Sequence, residues 1–293
     1  MSFYLIFQKV KLQKADFWYL LWLGILLLSS FRGIDPANSI LGGSYRHQGV
    51  LFFLTLYLAW KTCGILKTSQ KKLLGKTIAL SVFIELVLVL FKGALGTLGE
   101  VNAVSGFLAM GAVFVVESFG DKPLPFLIIP ILLLRSRAAI LAILPLVFSK
   151  FSKILPVLFI ILVGVISLGK ISSKFENRLT FWKMAVQAIA ERPVLGYGAE
   201  SNEKVYEEAF KKAEMPLYDF IVDRSHNLFL DVALWTGIPG LIAFCLFLLN
   251  TRKSKAILYP FLIYSFFQPL SVVHWLLLFT YLGNAEENDG RQQ

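Results

Sequence analysis

Two residue types in this chain stand where they could move a proton and hold a phosphate: one histidine and a small set of arginines. His226 lies in Asp223-Arg224-Ser225-His226-Asn227, directly ahead of an apolar run, and Arg178 opens the upstream pattern Arg178-Leu179-x-x-Trp182. Arg135-Ser136-Arg137 interrupts a second apolar run, and Arg46 sits in an early loop after Gly43. An imidazole titrates near neutrality and can take a proton from an attacking hydroxyl. A guanidinium keeps its charge at any working pH and grips phosphate oxygens through paired N–H groups. A base beside permanent cations is fit for displacing a diphosphate leaving group without help from a metal.

The elements that must position these residues are membrane spans. The chain has 293 residues, is 56% hydrophobic and 14% aromatic, and carries a formal charge of +10, which describes an all-α polytopic transmembrane bundle rather than a soluble protein. The lysines fall in short runs beside apolar segments, where they set orientation and meet anionic headgroups of membrane lipids; no basic stripe with interleaved aromatics points to nucleic acid. Cys63 and Cys245 both lie in apolar stretches and give neither a disulfide framework nor a metal-ligand spacing. Lys9, Lys11 and Lys14 precede the apolar run Phe17 to Phe31 as in a signal peptide, but no A-x-A-like site follows, so this run reads as a retained first span.

Apolar runs place spans near 16–31, 49–66, 73–91, 101–118, 154–169, 226–249 and 256–282. The run 124–148 is long enough for one span, yet that would set Arg135 and Arg137 at the bilayer centre at roughly 2.5–3.5 kcal/mol each. Two short helices turning at Arg-Ser-Arg avoid this cost. The turn also keeps Lys61, Lys67, Lys71, Lys72, Lys76, Lys122, Lys150, Lys153, Arg252, Lys253 and Lys255 on the side of the N-terminal lysines, as the positive-inside rule requires. Gln268-Pro269 predicts a second shallow break in the last run. The sum is about nine or ten spans, some short, in a single integral membrane domain over 1–293, with 170–225 as a large loop at the outer face.

That loop is neutral overall, with nine basic and nine acidic residues from Lys170 to Arg224. Trp182, Ala185, Val186 and Ile189 predict the inner face of an amphipathic helix that Pro193 ends. Gly196 and Gly198 predict a tight turn, and Glu203 to Ala213 a charged helix with Val205, Ala209 and Phe210 inward. Ser225 reads as an N-cap that leaves His226 at the start of the next helix, beside free backbone N–H groups. Asp231, one turn beyond Asn227, would orient Asn227 or an arginine. Glu85, inside a span, is expected to pair with Lys92. Asp219 and Asp223 make a weak cation pair lacking a third ligand, and Gly196-Tyr197-Gly198 lacks the context of a nucleotide loop.

The ordered set Ser136-Arg137, Arg178-Leu179-x-x-Trp182, Pro193-x-x-Gly196-x-Gly198, Asp223-Arg224-x-His226-Asn227 and Trp235-x-Gly237-x-x-Gly240 resembles the O-antigen ligase and polymerase-like membrane glycosyltransferases. Asp35-Pro36-x-x-Ser39 and Gly43-x-x-Arg46-x-x-Gly49 add a weaker match, so the likeness covers most of the chain from residue 32 onward. The resemblance implies a fold related to the membrane-embedded C class of glycosyltransferases. It implies transfer of a glycan from undecaprenyl diphosphate to an acceptor hydroxyl of a glycan, lipid or protein, without cofactor or metal, at the outer face of the bacterial cytoplasmic (inner) membrane. His226 would be the catalytic base. Arg137 and Arg178 would bind the diphosphate with help from Arg224 and Arg46, while Asn227 and Asp231 orient the site. This chain begins close to its first outer-loop motif, whereas the family commonly has about a dozen spans. The competing expectation is a transporter or flippase that escorts a lipid-linked sugar without reacting with it.

Overall fold

The computed structural model describes residues 12–93, 95–150, 172–214, 222–251 and 254–286, and among these every regular element is helical. In chain order they are α1 (Lys14–Arg32), α2 (Pro36–Leu41), α3 (Val50–Gly64), α4 (Thr68–Lys92), α5 (Val101–Phe119), α6 (Leu124–Leu133) and α7 (Arg137–Lys150). After these come α8 (Ser172–Glu191), α9 (Asn202–Lys212), α10 (Leu228–Asn250), α11 (Lys255–Phe267) and α12 (Val272–Ala285). Among the described residues four helices are long and apolar enough to cross a membrane: Lys14–Arg32, Thr68–Phe91, Val101–Phe119 and Leu228–Asn250. Five shorter apolar helices accompany them. The expected span at 154–169 lies outside the described residues.

The long run at 124–148 is broken into α6 and α7, with Arg135 in the left-handed region at φ 56°. The last run is likewise broken into α11 and α12, with Gln268 extended at the end of α11. Both breaks follow the expectation that charged or proline-bearing segments do not continue a helix through hydrocarbon.

The chain divides into two compact units. The motif unit holds Val10–Leu58 and Ser172–Lys253; the companion unit holds Met1–Lys9, Ala59–Ile171 and Ser254–Gln293. In the motif unit α1 packs along α10 through large aromatic side chains. Trp22 meets Phe53 and Phe244 at centroid distances of 5.0 and 5.1 Å, and Tyr19 meets Phe247 at 5.0 Å while donating its hydroxyl to the Phe53 carbonyl. The opposite side of α1 leaves Phe17, Leu21, Leu28 and Phe31 exposed, the all-round apolar character of a helix with lipid on one side.

In the companion unit α5 is the central element. Gly106 and Gly111 clear room on it for Tyr264, His274 and Val82, the small-residue packing common between membrane helices. Glu85 on α4 is buried and receives the backbone N–H and hydroxyl of Thr97 at 2.9 and 2.5 Å; the side chain of its expected partner Lys92 lies outside the described residues. Local turn geometry past the end of α4 supplies those donors, which spacing within the helix could not reveal.

α10 is not continuous. Gly237 has φ 68° and ψ −172°, and Pro239 follows with no N–H to donate. The carbonyls this releases are taken by another segment: Tyr197 N–H bonds Leu234 O at 2.8 Å and Gly198 N–H bonds Trp235 O at 3.0 Å. In return Ile238 N–H bonds Pro193 O at 2.7 Å. The Ser29 hydroxyl of α1 lies against the carbonyls of Leu195 and Trp235. Gly196 (φ 64°) admits this contact because a side chain there would strike the Leu234 carbonyl. The Pro193–Gly198 segment thus completes the main-chain bonding of a membrane helix, which explains why both glycine patterns occur in one sequence.

Candidate functional site

The histidine loop runs from Val222 into α10. Asn227, not Ser225, is the N-cap: its Oδ1 accepts from the N–H groups of Phe229 and Leu230 at 3.0 and 3.3 Å. His226 therefore precedes the cap instead of opening the helix. Its backbone is left-handed at φ 56°, a sparse conformation for a residue with a β-carbon that persists only where surroundings impose it.

Those surroundings are concentrated on Ser225, which is fully buried. Its N–H donates to Asp231 Oδ1 at 2.8 Å and its hydroxyl to the same oxygen at 2.6 Å. Its carbonyl accepts from Trp182 Nε1 at 2.9 Å, and its Oγ accepts the Tyr206 hydroxyl at 2.9 Å. Every polar atom of the residue before His226 is held. Burial pushes the Tyr206 phenol far above its ordinary range, with Asp231 adding to the rise, so it stays protonated and donating. The left-handed turn at His226 folds Ser225 back over α10, and Asp231 bonds Ser225, with the Arg224 charge also acting on its carboxylate. Asp231 Oδ1 also receives Asn202 Nδ2 at 2.7 Å, and Asn202 Oδ1 receives Trp235 Nε1 at 2.6 Å.

His226 itself is half-buried, with its Nδ1 shielded from solvent. Arg178, also half-buried, lies on α8 four residues before Trp182. It thus shares a face with the indole that bonds Ser225, about 6 Å along the axis. Trp182, one turn after Arg178 on α8, is the residue of that helix bonded to the loop.

Arg224 is buried beneath the loop. Its Nη2 donates to Glu200 Oε1 at 2.5 Å and to Gln48 Oε1 at 3.3 Å, its Nη1 to the Asp223 carbonyl at 2.9 Å, and its Cζ lies 5.0 Å from the centre of the Trp235 ring. Glu200 in turn accepts the Gly43 N–H at 2.7 Å. Arg46 Nε pairs with Asp223 at 2.5 Å. Arg224 and Arg46 thus have carboxylate partners that tie the early loop to the histidine loop. For Arg224 that partner is buried, so removing either member leaves an uncompensated charge. Asp223 is engaged by Arg46, and Asp219, its expected cation-binding neighbour, lies outside the described residues.

At the other end of the early loop Asp35 caps α2 and pairs with Lys204 at 2.7 Å. The Lys204 ammonium holds the Asp35 carboxyl below its ordinary value, and the Asn38 N–H and amide help. Ser39 Oγ donates to Ala199 O at 2.6 Å.

Arg137 belongs to the companion unit, exposed at the start of α7. The preceding Ser136 is buried and donates to Asn102 Oδ1 at 3.4 Å. Asn102 O also accepts the Tyr264 hydroxyl at 2.6 Å, and the Tyr264 ring packs on His274 at 4.9 Å.

Sequence reasoning missed Glu200, Asn202 and Tyr206. None has a periodic or motif signal of its own; each matters through a partner far away in the chain. The amphipathic helix is present, but its inner face carries Phe181, Met184, Ala185, Ala188 and Ile189, while Val186 is exposed. On α9 the buried residues are Asn202, Val205, Tyr206 and Phe210, with Ala209 half-buried.

Helices of spanning length and broken apolar helices describe a multi-pass helical membrane protein. Residues 123–245 match the family model described as O-antigen ligase, which supports an O-antigen ligase-like family for this chain. The matched range contains Arg137, Arg178, Arg224, His226, Asn227 and Asp231; Arg46 lies before it. No curated protein matches the chain.

Proposed function

We propose that the chain transfers a glycan from an undecaprenyl-diphosphate carrier to an acceptor hydroxyl at the outer face of the bacterial cytoplasmic membrane, with inversion and without a metal. The family match supports glycan transfer of the ligase kind in general. The single observation that carries the finer reading is the pinning of Ser225 through its N–H, carbonyl and hydroxyl, which holds the left-handed turn at His226 against Trp182 of α8, the helix that carries Arg178.

In this reading His226 takes the proton of the acceptor hydroxyl as its oxygen bonds the anomeric carbon. The bond from that carbon to the diphosphate oxygen breaks, and the carrier leaves as its diphosphate. Arg178 stabilises the departing charge through its planar fork, and Arg137 is a second proposed phosphate ligand by its exposed place after the Ser136 turn. Arg224 and Arg46 act through Glu200 and Asp223, holding the loop instead of gripping the substrate by full charge. Asn227 and Asp231 orient His226 from either side, one as cap and one through Ser225.

The test is product formation. Purified protein in lipid vesicles, supplied with an undecaprenyl-diphosphate-linked oligosaccharide and a hydroxyl acceptor, should yield a covalently extended acceptor. Movement of the lipid-linked sugar across the vesicle membrane with no product would replace the reading with a transporter.

A further inference from the structure

α8 and α9 do more than support the histidine loop. Trp182 and Tyr206 reach Ser225 from these two helices, and farther along the pair the motif unit contains a half-open cavity of about 260 Å³. Its walls carry Gln187 and Glu191 from α8 and Glu208 and Lys212 from α9, and Tyr197 also lines it. Ala188 and Ala209 leave the space that larger side chains would fill. Gln187 lies about 7.5 Å farther along the α8 axis than Trp182, the residue of that helix whose indole bonds the Ser225 carbonyl.

The lining selects a class of occupant. It offers acceptors in two carboxylates and an amide oxygen, donors in an ammonium and an amide, and an apolar floor that includes Met184 and Val205. A hydroxyl both donates and accepts, and a sugar ring also presents C–H faces that suit such a floor. Two carboxylates against one ammonium disfavour a phosphate, and four polar side chains disfavour an acyl chain. Lys212 bridges the cleft to Glu191 at 2.9 Å, but both side chains are more than half exposed, so this clasp is weak and opens at little cost. The cavity is slightly smaller than the roughly 300–1,000 Å³ of ordinary ligand sites, enough for part of a glycan.

We propose that the cleft between α8 and α9 binds carbohydrate, as a subsite for sugar residues of the acceptor. This rests on the transfer reading and adds to it an acceptor class and a subsite.

The experiment is saturation-transfer NMR on the full chain in nanodiscs with maltotriose and tri-N-acetylchitotriose as probes and inorganic phosphate as competitor. Ring protons of at least one sugar should receive saturation in the wild type, and phosphate should not compete. Ala209→Trp, which fills the cleft, should weaken sugar binding at least about tenfold, the loss expected when a pocket contact is removed. Where Ala209→Trp unfolds, the milder pair Gln187→Leu and Glu208→Gln is read in its place and should weaken binding in the same direction. No saturation of either sugar, undiminished binding in a folded cleft variant, or displacement by phosphate overturns the proposal. Loss of glycan transfer is read separately in His226→Ala, so failure of the catalytic reading leaves a distinct signature: transfer persists there whatever the cleft binds.

Discussion

His274, in the companion unit, is fully buried at the start of α12. Its Nδ1 accepts the Ser271 N–H at 2.9 Å, which places the ring proton on Nε2, and Nε2 donates to the Ala103 carbonyl at 3.1 Å. His226, in the motif unit, is half-buried in a left-handed turn, and the residues on either side of it are bound through their own atoms: Ser225 by Asp231, Trp182 and Tyr206, and Asn227 as the helix cap. In the first case main-chain groups occupy both ring nitrogens, so the ring is part of the scaffold. In the second the scaffold grips both neighbouring residues through their own atoms. A histidine in a membrane protein is therefore not informative by type alone; the bonds that hold the residues beside it have to be read as well.

Exchanging each histidine for alanine should separate these roles most sharply. His226→Ala should lower glycan transfer by about 10²–10⁴-fold, the usual contribution of a general base, with an unchanged thermal midpoint in detergent. His274→Ala should lower stability by about 2 kcal/mol or more, since it strands two main-chain partners and opens a void. The reverse pattern, activity lost at His274 with stability intact, would break the comparison.

A smaller effect is expected at Arg178→Lys, which keeps the charge but not the fork: transfer should fall at least about tenfold, with expression unchanged. Retained activity would mean that a point charge suffices there. Tyr206→Phe removes one of the bonds on Ser225 and should cost about 1 kcal/mol of stability. A fall in kcat exceeding any rise in KM would show that the bond sharpens the placement of His226 and not merely the fold.

The smallest effect is a pH dependence at the edge of the motif unit. The Asp35 carboxyl is held below its unfolded value by Lys204, so its stabilisation is fully present above the unfolded carboxylate range and is lost as pH falls through the lower folded value. Lys204→Ala should reduce the acid-side slope of the thermal midpoint, by an amount equivalent to less than about 1 kcal/mol because the lysine is half exposed. An unchanged slope would remove this pair from the stability of the loop.

Much of the fold was legible because the membrane makes the sequence explicit. Arg135 and Arg137 could not sit at mid-bilayer, so the run around them had to break, and it does. Gly196 and Gly198 marked a turn because only small residues approach another backbone so closely. The site was legible as a set of motif residues but not as a network. Asp231 was expected to face Asn227 because they are one turn apart, yet the left-handed His226 carries Ser225 to it across a separation of six residues. Glu200, Asn202 and Tyr206 gave no signal because their partners, Arg224, Asp231, Trp235 and Ser225, come from other elements. Helical periodicity reports which face is buried, not which distant hydroxyl it will meet.

The break at Gly237 also bears on how the protein is made. Inside hydrocarbon the carbonyls of Leu234 and Trp235 would each cost several kcal/mol while unbonded, and their donors come from the Pro193–Gly198 segment and from Ser29. These donors are synthesised before α10, yet they can act only once that helix has entered the bilayer beside α1. Maturation of the span therefore waits on docking of the loop, and a substitution that removed the Gly198 N–H would act as an assembly lesion, far upstream of any encounter with sugar.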